Sequence, residues 1–343
     1  MQGGGHGPAS RQFGLGTDQV LEAEVVTADG KVITANPCSN TDIYWAIRGG
    51  GPGNYGVVTK TVIKAYPMVN VQAQHVAIAT LSANTNLNDK GYAGYGQWSI
   101  NQPTPLFGTF TAGYVHGFYT FDKTVSYAQS TFASTLQKLL PYNGTSLYIS
   151  VSYVSYPDYW SFYNTESGVE PPVGSANSAL GSRLFSRRAV QEDTAGLRSM
   201  LDVIAGTPDE YTANNFELVS GGANFLKSDD YSGLNPAWRI SYFNHIVARG
   251  WGPTATQADE DAVQHDITYV KTAAMKEQAP ETGVYMNEGD RLDPDYEEDF
   301  YGEHYERLSS IKAVVDPSGG FYCPTCVGSD QWKEDSTGRL CKA

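Results

Sequence analysis

Eight residues, Gly49-Gly50-Gly51-Pro52-Gly53-Asn54-Tyr55-Gly56, restrict the architecture of this chain more than any other feature. The run from Gly51 to Gly56 matches the dinucleotide pattern G-x-G-x-x-G letter for letter, but its neighbours are in the wrong order. In the dinucleotide fold such a loop follows a strand and opens a helix whose N-terminus holds the pyrophosphate. Here the glycines stop a short helix, Asp42 to Arg48, for which Asn40, Thr41 or Asp42 is available as cap. They then run into Val57 to Tyr66, a β-prone stretch ended by Pro67. A Rossmann unit is disfavoured. What survives is a loop whose backbone can approach a phosphate or an adenine closely.

Upstream, Val20 to Thr27 and Val32 to Thr34 flank an Asp29-Gly30 turn, a hairpin signal. Downstream the texture changes. Leu147, Ile149, Val151 and Tyr153 alternate with Tyr148, Ser150 and Ser152, the period of a half-buried strand. Aromatic-rich runs at Phe107 to Phe121 and Asn215 to Val219 read the same way. Between them, Val125, Ala128, Phe132, Leu136 and Leu139 share one helical face. Val263, Ile267, Val270 and Ala274 share another, behind an acidic first turn. A last helix is expected near Tyr301 to Val315, with Tyr301, Tyr305, Leu308 and Ile311 inward and Asp316-Pro317 as its stop. The pattern predicts an α+β fold: an antiparallel sheet covered by helices on one side. At 343 residues, two domains are expected.

A net charge of −14 argues against a nucleic-acid partner, and no apolar run is long enough to span a membrane. No nucleophile elbow, H-E-x-x-H or P-loop occurs, so hydrolase chemistry has no positive signal. Met1 to Ser10 lacks the basic-then-apolar pattern of a signal peptide. Asn143-Gly144-Thr145 is nevertheless a glycosylation sequon, and the four cysteines permit either two disulfides or four reduced thiols. Cys323-Pro-Thr-Cys326 has half-zinc spacing, but with no second Cys or His pair nearby no metal is expected. Gly3-Gly4-Gly5-His6-Gly7 reads by itself as a loose chain end, and His6 as an exposed or structural histidine.

Residues Gly3 to Asp18, GGGHGPASRQFGLGTD, resemble the G-G-G-x-G-x-x-S-R-x-x-G-L-x-x-D segment of the berberine-bridge-enzyme-like FAD-linked oxidases. Asp42-Ile-Tyr-Trp-Ala-Ile-Arg-Gly-Gly-Gly51 with Tyr55-Gly-Val-Val58 is similar to the next block of that family. Asn235-Pro-Ala-Trp-Arg239 resembles a block of fungal members. Tyr285-Met-Asn-Glu288 begins the C-terminal block, which continues through Tyr305-Glu-Arg-Leu308, Lys312 and Asp316-Pro317.

The resemblance implies a two-domain fold of the vanillyl-alcohol-oxidase, PCMH-type superfamily. Residues 1–67 and 285–343 would form the FAD side, and 68–284 an inserted substrate domain. It implies hydride transfer from an alcohol, amine or sugar carbon to FAD, in secondary metabolism, with a small-molecule substrate and molecular oxygen as partners. Gly3, Gly4, Gly5, Gly7, Gly56, Val57, Val58 and Asn287 would bind the cofactor. Tyr285 is the candidate base and needs a nearby cation, for which Arg183, Arg187 and Arg188 are available. Glu288 stands where many plant members carry a second Tyr and is the alternative base. Family members carry a long stretch before the first block, including the residues attached covalently to FAD and the residue that gates oxygen. The chain is therefore expected to begin partway through the flavin domain. The family is often secreted. Two other readings stay open: a non-redox cyclase or binding protein, and a fragment without independent function.

Overall fold

The computed structural model describes residues 1–80, 107–110, 115–145, 147–166, 177–206, 210–335 and 337–343. Residues 111–114, within one expected strand, and the side chains of Phe132, Leu147 and Tyr148 lie outside the described ones. The fold is α+β with two domains. Strands β1 (Val20–Val26), β2 (Val32–Ala35) and β3 (Val57–Ile63) form an antiparallel sheet in the order β2-β1-β3. The Asp29-Gly30 turn closes the β1–β2 hairpin, with Gly30 at φ 80° and its N–H donating to Thr27 O.

Helix Thr41–Ala46 follows β2 and buries Ile43, Tyr44, Trp45 and Ala46 against this sheet. Its cap differs from expectation. Asn40 sits in the left-handed region at φ 48°, and its side-chain amide donates back to Thr34 O instead of accepting from the helix. The glycine loop follows, and β3 leaves it as a strand. The order of elements is therefore helix, loop, strand, the reverse of a dinucleotide loop.

The second sheet has seven antiparallel strands: β4 (Val71–Thr80), β5 (Phe107–Phe110), β6 (Val115–Phe121), β7 (Leu147–Tyr156), β8 (Ser178–Ser186), β9 (Tyr211–Glu217) and β10 (Ser241–Gly250). Their order is β7-β4-β6-β5-β9-β10-β8. Helices Val125–Leu139, Thr194–Ala205 and Gln257–Gln278 pack on it through Leu136, Leu197, Leu201, Ile204, Val263, Ile267 and Met275. A separate short hairpin, β11 (Trp332–Glu334) with β12 (Leu340–Lys342), lies near the C-terminus.

Two helical expectations are corrected. The face Val263, Ile267, Val270, Ala274 is interrupted by a π turn at Ile267–Lys271, where both the N–H and the hydroxyl of Thr272 reach Ile267 O. One extra residue rotates the face, so Val270 is exposed and Lys271 is buried in its place. The final helix is also broken. Tyr296–Tyr301 ends at Gly302, with φ 56°, and Tyr305–Val315 then runs to Asp316, with Tyr301, Leu308 and Ile311 buried as expected.

The two chain ends share one core. Val20, Val25, Ile43, Trp45 and Tyr55 pack with Val284, Phe300, Tyr301, Leu308 and Ile311. Lys312 Nζ donates to Asn54 O, Asp316 and Phe321 O, and so ties the glycine loop to the last helix. The N-terminal block is joined to the large sheet by a buried bidentate pair in which Arg239 donates to both oxygens of Asp18 at 2.8 and 2.9 Å. Removing one partner of such a pair costs about 3–5 kcal/mol. Cys323 and Cys326 form a disulfide, while Cys38 and Cys341 are free.

Candidate functional site

The N-terminal glycines are packed rather than loose. Gln2 O accepts from the N–H groups of Gly49 and Gly51, so the first residues strap onto the second glycine loop. Gly4, at φ 137°, lies so close to the Tyr285 ring that a Cβ there would be 2.9 Å from it. A Cβ on Gly3 would be 2.6 Å from the Asn287 amide. Gly5 N–H donates to the Tyr285 hydroxyl oxygen at 3.3 Å, and Asn287 Nδ2 donates to the same oxygen at 2.6 Å. The first and the C-terminal blocks therefore form one continuous wall.

One side of this wall faces a cavity of about 440 Å³, lined in part by Gly3, Val20, Ile47, Val58, Lys60 and Asn287. That volume lies within the range of small-molecule sites, roughly 300–1,000 Å³. Gly3, Val58 and Asn287 thus meet at one cavity. Gly4, Gly5, Gly7, Gly56 and Val57 do not line it. Gly56 is needed because a Cβ would meet Val25 and the Val26 carbonyl, Val57 is exposed on β3, and Gly7 has open space around it.

Glu288 points toward the large sheet. Its Oε1 lies 3.0 Å from His6 Nε2, and its Oε2 accepts from Asn244 on β10 at 2.6 Å. Glu217, the last residue of β9, places Oε2 at 3.3 Å from the same His6 nitrogen, and its Oε1 accepts from Asn215 at 2.8 Å. The His6 ring packs edge-on against Tyr285 at 4.9 Å and lies 6.2 Å from Trp238.

Burial pulls His6 down, but the Glu288 hydrogen bond and the charges of Glu217 and Glu288 more than offset it, so its pKa is raised. Glu217 is raised chiefly by burial, with Glu288 adding to it. Burial also raises the Tyr285 hydroxyl. The charges of Glu288 and Glu217 act in the same direction, against the hydrogen bonds from Asn287 and Gly5.

The arginines named as cations for Tyr285 are engaged elsewhere. Arg183 is buried against Asp299 at 2.6 Å, Arg188 pairs with Glu281, and Arg187 donates to Gln191. Among the described residues, the basic side chain against Tyr285 is His6. His6, Glu217, Asn215 and Asn244 were missed by sequence reasoning. The available signal was the Asn215-Phe216-Glu217 alternation, which puts two polar side chains on the same face of the strand.

The family model described as Berberine and berberine like matches residues 284–328. The FAD-linked oxidoreductase hmp9 of Hypomyces subiculosus is 46% identical over 99% of this chain and 56% of its own length. The FAD-linked oxidoreductase apf9 of Gibberella fujikuroi is 34% identical over 100% of this chain and 61% of its own length. The crystal structure of the VAO-type flavoprotein MtVAO713 from Myceliophthora thermophila C1 superposes with a TM-score of 0.92 at 41% identity, covering 100% of this chain and 62% of that one. A chitooligosaccharide oxidase, with a TM-score of 0.73 and 17% identity, shares the fold. The chain spans 56% and 61% of the length of the two curated relatives named here.

Proposed function

We propose that this chain, which belongs to the fungal-type berberine-bridge-like FAD-linked oxidoreductases, forms the substrate-side portion of an enzyme that oxidises a small alcohol, amine or sugar-like molecule with FAD. The observation that carries the proposal is the wall of Gly3 to Gly5 and Tyr285 to Asn287 beside the 440 Å³ cavity. The residues present fit a flavin. Gly3 brings backbone to the cavity wall, Val20, Ile47 and Val58 offer apolar cover, and Gln2, Lys60 and Asn287 offer polar groups at the rim. A bound flavin supplies the hydride acceptor.

The protein's own contribution is position and proton handling. Gly3, Val58 and Asn287 hold the cofactor face. Tyr285, kept in register by Gly5 and Asn287, orients the substrate. Glu288 accepts the proton released from the substrate hydroxyl or amine. Residues 1–67 and 285–343 make up the flavin side and 68–284 the substrate domain, a division supported by the core that the two chain ends share.

The test is the visible spectrum of the purified chain, taken as isolated, after incubation with FAD, and after denaturation. A flavin spectrum that shifts on binding and reverts on denaturation is expected. A folded chain that stays colourless after gel filtration from excess FAD overturns the proposal for this chain.

A further inference from the structure

Three titratable side chains from distant parts of the sequence converge on one nitrogen. His6 comes from the first glycine block, Glu217 from the end of β9, and Glu288 from the C-terminal block. Both carboxylates are held alike: one oxygen of each accepts from an asparagine amide, Asn215 or Asn244, and the other faces His6 Nε2. Glu217 and Asn244 are register partners across β9 and β10, so the sheet itself sets their spacing. His6 Nε2 makes its hydrogen bond with Glu288, which leaves Glu217 Oε2 buried without a hydrogen-bond partner among the described residues. Two carboxylates buried beside a single imidazole share protons with it as a group rather than titrating one by one. The titratable groups that face His6 are Glu217 from β9 and Glu288 and Tyr285 from the C-terminal block. Its Nδ1 is buried and has no hydrogen-bond partner among the described residues, which leaves a second port on the ring.

We propose that His6, Glu217 and Glu288 act as one proton-holding unit, in which Glu288 takes the proton leaving the substrate and His6 passes it to Glu217. This rests on the oxidoreductase reading above. The substrate's O–H or N–H bond breaks toward Glu288, and its C–H bond yields a hydride, with both electrons, to an oxidised flavin. The carboxylate is protonated and the substrate becomes a carbonyl or imine. A unit that is anionic at rest and sits beside Trp238 and Tyr285 suits a neutral or cationic substrate, and repels one carrying an anion next to the reacting carbon.

The experiment is NMR titration of the chain itself, without flavin. His6 is followed through ring nuclei assigned with His6→Asn, and the glutamates through ¹³C-labelled carboxyls. His6 is expected to titrate above the ordinary value of about 6.5. Glu217→Gln and Glu288→Gln should each lower its midpoint by about half a unit or more, and Glu217→Gln should remove the upper carboxylate step. Asn215→Ala leaves every charge in place and should raise the Glu217 midpoint, which keeps the test open if a glutamine variant fails to fold. A His6 midpoint unmoved by Glu217→Gln in a folded chain overturns the proposal. So does Zn²⁺ alone binding one ion per chain at these three residues. If the titrations behave as expected while FAD is not retained, the unit stands and the oxidoreductase reading falls. The converse result separates the two in the other direction.

Discussion

Asp293 is a carboxylate in the wrong place for its charge. Burial pushes it up to about 6, with Asp299 and Asp290 adding to the effect and the Asp295 N–H and Lys276 opposing it. Its Oδ2 is buried without a hydrogen-bond partner among the described residues, while Oδ1 accepts from Asp295 N. Because the folded value lies above the unfolded 3.8, the stability contributed by the protonated group is full below that value and is lost as pH rises through about 6. Asp293→Asn keeps the acceptor at Oδ1 and cannot ionise. It is expected to stabilise the fold on the order of 1–2 kcal/mol at about pH 7.5 and to give no gain near pH 4, as read from urea midpoints at both pH values. Nothing in the sequence marked this residue, since its cost arises chiefly from burial, which only the folded chain imposes. The same limit applied to His6. Its position among glycines looked like a chain end, and only the meeting of residues 285–288 with the end of β9 around it turns it into a buried partner of two carboxylates. Tyr285, Asn287 and Glu288 could be named only through the resemblance of residues 285–288 to a family block, since their own spacing carries no such signal. Glu217 could not, because the sheet brings it there.

The helical elements show how far periodicity carries. The hairpin at Asp29-Gly30, the short helix before the glycine loop and the stop at Asp316 were all legible, since each depends on neighbouring residues. The π turn at Ile267–Lys271 was not, because a single added residue depends on what the helix meets. Gly181 on β8 leaves room for Thr272, whose Oγ1 would lie 2.7 Å from a Cβ at that glycine. The turn then carries Lys271 into the interior, where its ammonium lies 3.4 Å from Glu210 and 3.6 Å from Asp266. Two substitutions at adjacent positions should therefore diverge. Lys271→Met removes one of the cations serving that pair of carboxylates and is expected to cost about 3–5 kcal/mol. Val270→Lys, on the exposed side, is expected to stay within about 0.5 kcal/mol. Guanidinium melts of the two variants check this, and equal losses would refute the π register.

At the scale of the molecule, β3 is an edge of the three-stranded sheet, and it is open along most of its length. Val57, Val62 and Ile63 are exposed, with Leu21 exposed on the neighbouring strand. An edge with unpaired backbone groups and apolar side chains invites pairing with another chain. The isolated chain is expected to self-associate as its concentration rises. Val57→Lys with Ile63→Lys should restore a monomer without lowering the unfolding midpoint, as measured by sedimentation velocity and thermal melts. A monomer at all concentrations in the unsubstituted chain would contradict this.

The hydrogen bond from Gly5 to Tyr285 and the pairing of His6 with Glu288 close loops of 280 and 282 residues. Contacts of such long range form late. A nascent chain still lacking its last segment has one face of the wall and no other, and a chain clipped before Tyr285 has the same defect. Neither holds half of the constellation, because it does not exist until the two blocks have met. The fold thereby makes the junction between residues 3–7 and 285–288 all-or-none, with neither block holding a partial copy of it.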